Sequence, residues 1–153
     1  SLPTGVLAGA LVTALIQSSS ASVGMLQALA STGMVPFSTA VPIIMGQNIG
    51  TCVTVLLASV GSGLNARRAA MVHFYFNLFG TIAFSALIYG VKATVGIPFW
   101  HDPVSRSGIS LFHTLFNVFN TLWMMPLLDR LLHLVERTVG GRRVAGLAES
   151  RTA

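Results

Sequence analysis

From Ser1 to Ala66 the chain carries no Asp, Glu, Lys, Arg or His. A fold exposed to water keeps charged residues on its surface, so this feature directs the chain to a lipid bilayer. Two later runs, Ala69 to Val91 and Ile109 to Leu128, are uncharged apart from one histidine each. A helix crosses about 30 Å of hydrocarbon with roughly 20 apolar residues, and each run reaches that length. Because lipid offers no hydrogen bonds to open backbone, the spanning elements are expected to be helices, giving an all-α membrane protein. Composition agrees: 8% of the residues are charged, against about 25% in soluble domains, and the mean hydropathy is +0.75. The net charge of +5 does not indicate nucleic acid, since the nine Lys and Arg mostly flank apolar segments, where they act as orientation signals. The single cysteine, Cys52, excludes an intrachain disulfide and the multi-cysteine zinc patterns.

The first 66 residues do not read as two plain spans. The run 5–33 would be about 43 Å long as one helix, more than a bilayer needs. Its centre holds "QSSS", Gln17 to Ser20, with Thr13 and Ser22 on either side. A break there leaves two pieces of roughly 20 Å, neither able to cross alone. This favours a re-entrant helical hairpin, the alternative being one tilted helix whose serines bond back to its own carbonyls. The run 36–60 repeats the pattern, with "GQNIGT" between apolar flanks, and is expected to be a broken helix. Irregular backbone at membrane depth survives only where protein or a water-filled cavity covers it. Gly5, Gly9 and Thr13 share a face with Gln17 and mark close helix packing, as does the pair Gly46 and Gly50.

Plain spans are expected over 68–91 and 109–128. Antiparallel running then puts Arg67, Arg68, Arg130, Arg137, Arg142, Arg143 and Arg151 on one side and Lys92 and Arg106 on the other. The positive-inside rule makes the C-terminus cytoplasmic. Residues 129–139 space Leu131, Leu132 and Val135 on one face, with Leu128 just ahead, and Asp129, Arg130, Glu136 and Arg137 opposite. This is the pattern of an amphipathic interfacial helix or a lead into a cytoplasmic partner domain. The tail 140–153, rich in Gly, Arg and Ala, reads as disordered.

The segments "HFYFNLFGT" and "HTLFNVFNT" share the pattern H-x-x-F-N-x-F-x-T. His73 with Asn77, and His113 with Asn117, fall four apart on one helix face. Such residues either line a pathway or tie neighbouring helices together, and the second use is the commoner. Asn77 is the better placed of the two asparagines to reach a ligand, being nearer the interrupted segments. The interrupted segments themselves offer two kinds of chemistry. Hydroxyls, carboxamides and unwound carbonyls can surround a sodium ion without any carboxylate. Half-helix N-termini and hydroxyl donors can hold an oxyanion without a lysine.

"QSSSAS", then "PIIMGQNIGTCVT", then "RRAAMVHFYFNLFGT" resemble the second repeat of the sodium-phosphate cotransporter family, the type II group and its bacterial relatives. The resemblance implies one repeat of an inverted-repeat transporter, with a re-entrant hairpin, a broken helix and two transmembrane helices. It implies that Gln17, Ser18, Ser19 and Ser20 contact substrate and ion, while Gln47, Asn48 and Thr51 form the partly unwound segment beside them. Asn77 joins these as a candidate contact. Sodium is implied as the coupling ion, with Gln17, Ser18, Ser20, Asn48 and Thr51 as its oxygen donors, and no further cofactor. The implied partners are inorganic phosphate, the bilayer and the missing first repeat or a second copy of this chain. The second segment often reads G-A-N-I-G-T in the family, so Gln47 is a variant position. With one QSSS, the chain is expected to be a fragment of a longer product.

The implied activity is sodium-coupled phosphate symport across the plasma membrane, with another small anion on the same scaffold as the alternative. An intramembrane serine hydrolase using His73 or His113 as base is a further reading, opposed by the lack of a G-x-S-x-G elbow. A purely structural membrane subunit is the third.

Overall fold

A computed structural model describes residues 1–140; the tail expected over 140–153 lies, beyond Gly140, outside the described residues. The described residues form six α-helices and no strand: α1 (Leu2–Ile16), α2 (Ser19–Ala30), α3 (Phe37–Ser59), α4 (Leu64–Thr94), α5 (Arg106–Met124) and α6 (Leu128–Val139). A 3₁₀ turn, Met125–Leu127, joins α5 to α6 and contains Pro126.

The long apolar run at the start is broken, as its length demands. α1 stops at Ile16 because Gln17 takes the left-handed conformation, φ 57° and ψ 25°, with its N–H still bonded to the Thr13 carbonyl. Ser18 is extended, and α2 restarts at Ser19. Gln17 is the only non-glycine with positive φ among the described residues, and a side chain rarely adopts that region without a local demand for a turn. The two pieces fold back on each other: Thr13 Oγ1 donates to Ser22 Oγ at 2.7 Å.

The broken helix expected over 36–60 is corrected. α3 runs unbroken through Pro42 and "GQNIGT". Two of its polar side chains are absorbed within the helix: Thr51 Oγ1 donates to the Gln47 carbonyl at 3.0 Å, and Cys52 Sγ to the Asn48 carbonyl at 3.4 Å. The glycines serve packing instead of bending. A Cβ at Gly46 would run into the Val6 backbone, and one at Gly50 into the Ala10 carbonyl. On α1, a Cβ at Gly9 would strike the Ile43 carbonyl, and one at Gly5 would lie 2.6 Å from Pro42 Cγ. Small residues four apart on both helices therefore bring backbone against backbone, as the Gly5, Gly9 and Gly46, Gly50 spacing predicts.

α3 and α4, of 23 and 31 residues, are long and apolar enough to cross a membrane; among the described residues they are the two that are. The plain span expected over 68–91 lies within α4. The last span, expected over 109–128, is corrected to an α5 of 19 residues ending at Met124. Its Ser107, Ser110, His113, Asn117 and Asn120 dilute its apolar character, and Pro126 falls in the turn that follows. α6 forms close to its expected bounds, and its Leu131 and Val135 are buried, where α6 packs against α4. Arg68 Nη2 fastens the two helices by donating to the Gly140 carbonyl at 3.0 Å.

The core is aromatic. Phe84 meets Phe112, Phe116 and Phe119 edge to face at centroid distances of 5.6, 5.2 and 5.0 Å, joining α4 to α5. Phe37 sets its edge against Trp100 and Phe112. The start of α3 lacks a side-chain cap, and the loop before α5 satisfies it: Phe37 N–H donates to the Asp102 carbonyl and Ser38 N–H to the Trp100 carbonyl, each at 2.9 Å.

Candidate binding site at the helix break

Four of the candidate residues lie together at the break. Gln17 and Ser18 are exposed at the turn. Ser18 caps α2, its Oγ accepting from Ala21 N–H at 3.3 Å. Ser19 and Ser20 occupy the first turn of α2, where the unpaired N–H groups of a helix start concentrate partial positive charge. No charged side chain occurs in α1 or α2, so that field is not cancelled locally.

Ser19 and Ser20 line a cleft of about 270 Å³ together with Val23, Gly24, Gln27 and His113. Gln27 fixes the far wall, its Nε2 donating to Ser110 Oγ at 2.7 Å and to the Arg106 carbonyl at 3.3 Å. Sequence reasoning did not assign Gln27 or His113 to this place. Gln27 was legible in part, since it follows Ser19, Ser20 and Val23 along one face of α2 at helical spacing. His113 was visible as part of the repeated H-x-x-F-N pattern, but nothing in the spacing ties α5 to the hairpin.

Gln47 sits behind the break. It is 3% exposed, and its Nε2 donates to the Ser22 carbonyl at 3.0 Å. Ser22 is thus held twice, by Thr13 through its hydroxyl and by Gln47 through its carbonyl. The Gln47 Oε1 and Asn48 Nδ2 atoms are buried with no hydrogen-bond partner within the fold. Thr51 lies one turn further along α3 with its hydroxyl engaged in the helix.

Asn77 is not part of this group. It is buried on α4, its Nδ2 donating to the His73 carbonyl at 3.0 Å, and the same carbonyl receives Cys52 Sγ of α3 at 3.5 Å. Asn117 repeats this on α5, donating to the His113 carbonyl at 2.7 Å. The shared His–Asn pattern therefore forms the same back-bond on both helices. A third asparagine that sequence reasoning passed over, Asn120, is fully buried, and its carboxamide lies where a Cβ on Gly80 would be, 2.5 Å away. Among the described residues no three His, Cys, Asp or Glu side chains cluster as metal ligands. What the cleft offers is hydroxyls, carboxamides and a helix start, donor groups suited to a small oxyanion or a hard monovalent cation.

Comparison with known proteins bears on the same residues. The family model described as Na+/Pi-cotransporter matches residues 2–99, which include the break and the whole of α3 and α4. The uncharacterized protein YqeW of Bacillus subtilis is 33% identical over 135 residues, covering 86% of this chain and 43% of that protein. Sodium-dependent phosphate transport protein 2A of Rattus norvegicus is 47% identical over 79 residues, 48% of this chain and 12% of that protein. Sodium-dependent phosphate transport protein 2C of Homo sapiens is 41% identical over 81 residues, 50% of this chain and 14% of that protein. The chain spans less than half the length of each of these relatives. No solved structure matches it.

Proposed function

The chain belongs to the Na+/Pi-cotransporter family, and on that premise we propose that it supplies one half of the transport site of a sodium-coupled inorganic phosphate symporter in the plasma membrane, with its C-terminus in the cytoplasm. The observation that carries the location of the site is the break at Gln17 and Ser18, which sets three serines at the start of a helix free of local charge, two of them exposed and Ser19 half-buried. Phosphate fits the hydroxyls of Ser19 and Ser20 and the N–H groups of the first turn of α2. Sodium fits the oxygens of Gln17, Ser18 and Ser20, with Asn48 and Thr51 on the continuous α3 as further candidate donors. Gln47 serves the site by holding Ser22, and Asn77 by bracing α4 against α3.

The half-site is completed by a second QSSS-type hairpin, from the remainder of a longer polypeptide or from a second copy of this chain. In this reading the hairpin is re-entrant, its tip covered by that partner, since α1 at 15 residues is too short to cross by itself. Sodium enters first and reduces the cost of bringing the anion out of water. Rocking of one repeat against the other then exposes the pair to the cytoplasm, driven by the sodium gradient. The family consists of cotransporters and not enzymes, so the hydrolase reading falls, although His113 does share the cleft with Ser19 and Ser20.

The test is sodium-dependent uptake of labelled phosphate by the full-length protein in proteoliposomes. Ser19→Ala combined with Ser20→Ala is expected to abolish uptake while the protein remains folded in the membrane. Undiminished uptake by that variant would overturn the placement of the site. Wild-type uptake that sulfate competes away as well as unlabelled phosphate would transfer the proposal to a different small anion.

A further inference from the structure

The opposite end of the fold from the α3 start carries a second feature that the transport site does not use. Where α3 ends and α4 begins, a groove of about 490 Å³ opens between α3, α4 and the last turn of α6. Its walls are apolar, from Val53, Leu57 and Val60 on α3 and its end and Met71 on α4; Arg67 stands among them, and Thr138 of α6 closes one side. Leu57 and Val60 are 60% and 78% exposed, so this apolar wall is unpartnered within the fold. No carboxylate lines the groove, and Arg67 forms no ion pair among the described residues. The start of α4 has no side-chain cap, which adds the partial positive charge of a helix N-terminus beside the guanidinium.

The two helices that form the groove are also the two apolar enough to span a bilayer, and the groove lies at their shared end. We propose that this groove holds an anionic phospholipid of the cytoplasmic leaflet, its phosphodiester headgroup on Arg67 and the uncapped turn of α4, and one acyl chain along Val53, Leu57 and Val60. Charge complementarity selects the anion, because a guanidinium with no acid beside it among the described residues favours a phosphate oxygen over a zwitterion whose quaternary ammonium would meet only positive charge. The apolar wall selects a lipid over free phosphate, since a bare ion leaves Leu57 and Val60 uncovered. The site is separate from the helix break and rests on the orientation proposed above, which puts the α3–α4 turn on the cytoplasmic side.

The experiment is native mass spectrometry of the full-length protein in a neutral detergent, with phosphatidylglycerol and phosphatidylcholine of matched chains added in equal amounts. Phosphatidylglycerol is expected to be retained preferentially, and Arg67→Gln to lower its retention about fivefold, the factor that corresponds to about 1 kcal/mol for one basic residue at a membrane surface. Val60→Ser is expected to weaken retention of both lipids, and it reads the acyl wall independently if Arg67→Gln fails to fold. Inorganic phosphate at millimolar concentration is expected not to displace the lipid. Equal retention of the two lipids by the wild type, full retention by a folded Arg67→Gln, or displacement by inorganic phosphate would each overturn the proposal.

Discussion

Thr13 and Ser22 share a hydrogen bond of 2.7 Å across a helix break, both fully buried, although nine residues separate them. A continuous helix would hold those positions about 13 Å apart. The bond exists because Gln17 turns the chain, and it in turn fixes how far α2 stands from α1. Polar side chains inside this apolar segment are thus divided by role: Thr13 and Ser22 close the fold, and Gln17 to Ser20 are left at its tip.

Thr13→Val removes the donor and leaves the Ser22 hydroxyl buried with nothing to bond. The expected loss is about 1 kcal/mol, the scale of an interhelical hydrogen bond in a membrane bundle, with an upper range near 2 kcal/mol. Thermal melting of the full-length protein in detergent measures it. Melting identical to the wild type would mean that the hairpin does not depend on this bond.

Gln47→Ala separates a structural tie from a substrate contact. Loss of its bond to the Ser22 carbonyl is expected to lower stability by about 1–2 kcal/mol, because that carbonyl would lose the Gln47 N–H that now donates to it. Sodium-dependent phosphate uptake is expected to persist with an unchanged KM. A KM raised tenfold or more at full stability would place Gln47 in direct contact with substrate.

Gly9→Leu drives a side chain into the Ile43 carbonyl and the Gln47 N–H at the α1–α3 seam. Backbone cannot give way as a flexible side chain can, so the expected loss exceeds about 3 kcal/mol. Size-exclusion chromatography of the full-length protein should show aggregate instead of a single species. Gly90→Leu, at an exposed position of α4 with no atom near its Cβ, is the matched control and is expected to elute as the wild type does.

Gly80→Ala places a methyl group on the Asn120 carboxamide, 2.5 Å from the built Cβ. A loss of about 1–3 kcal/mol is expected. Asn120→Ala in the same chain should recover most of it, since the obstruction is then gone. Additive losses in the double variant, read by the same melting experiment, would show that the two sites are not coupled.

Much of this fold was legible in the sequence because membrane length is a hard constraint. Residues 5–33 exceed one crossing, and the only polar cluster within them, Gln17 to Ser20, marks where the chain turns. The seam of Gly5, Gly9, Gly46 and Gly50 was legible for a similar reason, since i, i+4 spacing on two helices leaves small residues facing each other. The continuity of α3 was not. "GQNIGT" has the composition of a break and also that of a close-packed straight helix, and the two differ only in whether α1 lies against Gly46 and Gly50, a tertiary fact. The same limit hid the cleft partner His113, which reaches Ser19 and Ser20 through the packing of α5, and Asn120, whose place is set by the absence of a side chain at Gly80.

The capping of α3 by the loop before α5 has a consequence for biosynthesis. The N–H groups of Phe37 and Ser38 find their acceptors only in the carbonyls of Asp102 and Trp100, which leave the ribosome after the whole of α4. Until then the start of α3 has unsatisfied donors, and it completes its hydrogen bonding only when the downstream loop arrives. A stop or pause before residue 102 therefore leaves a nascent chain in which the first turn of α3 still lacks these two acceptors.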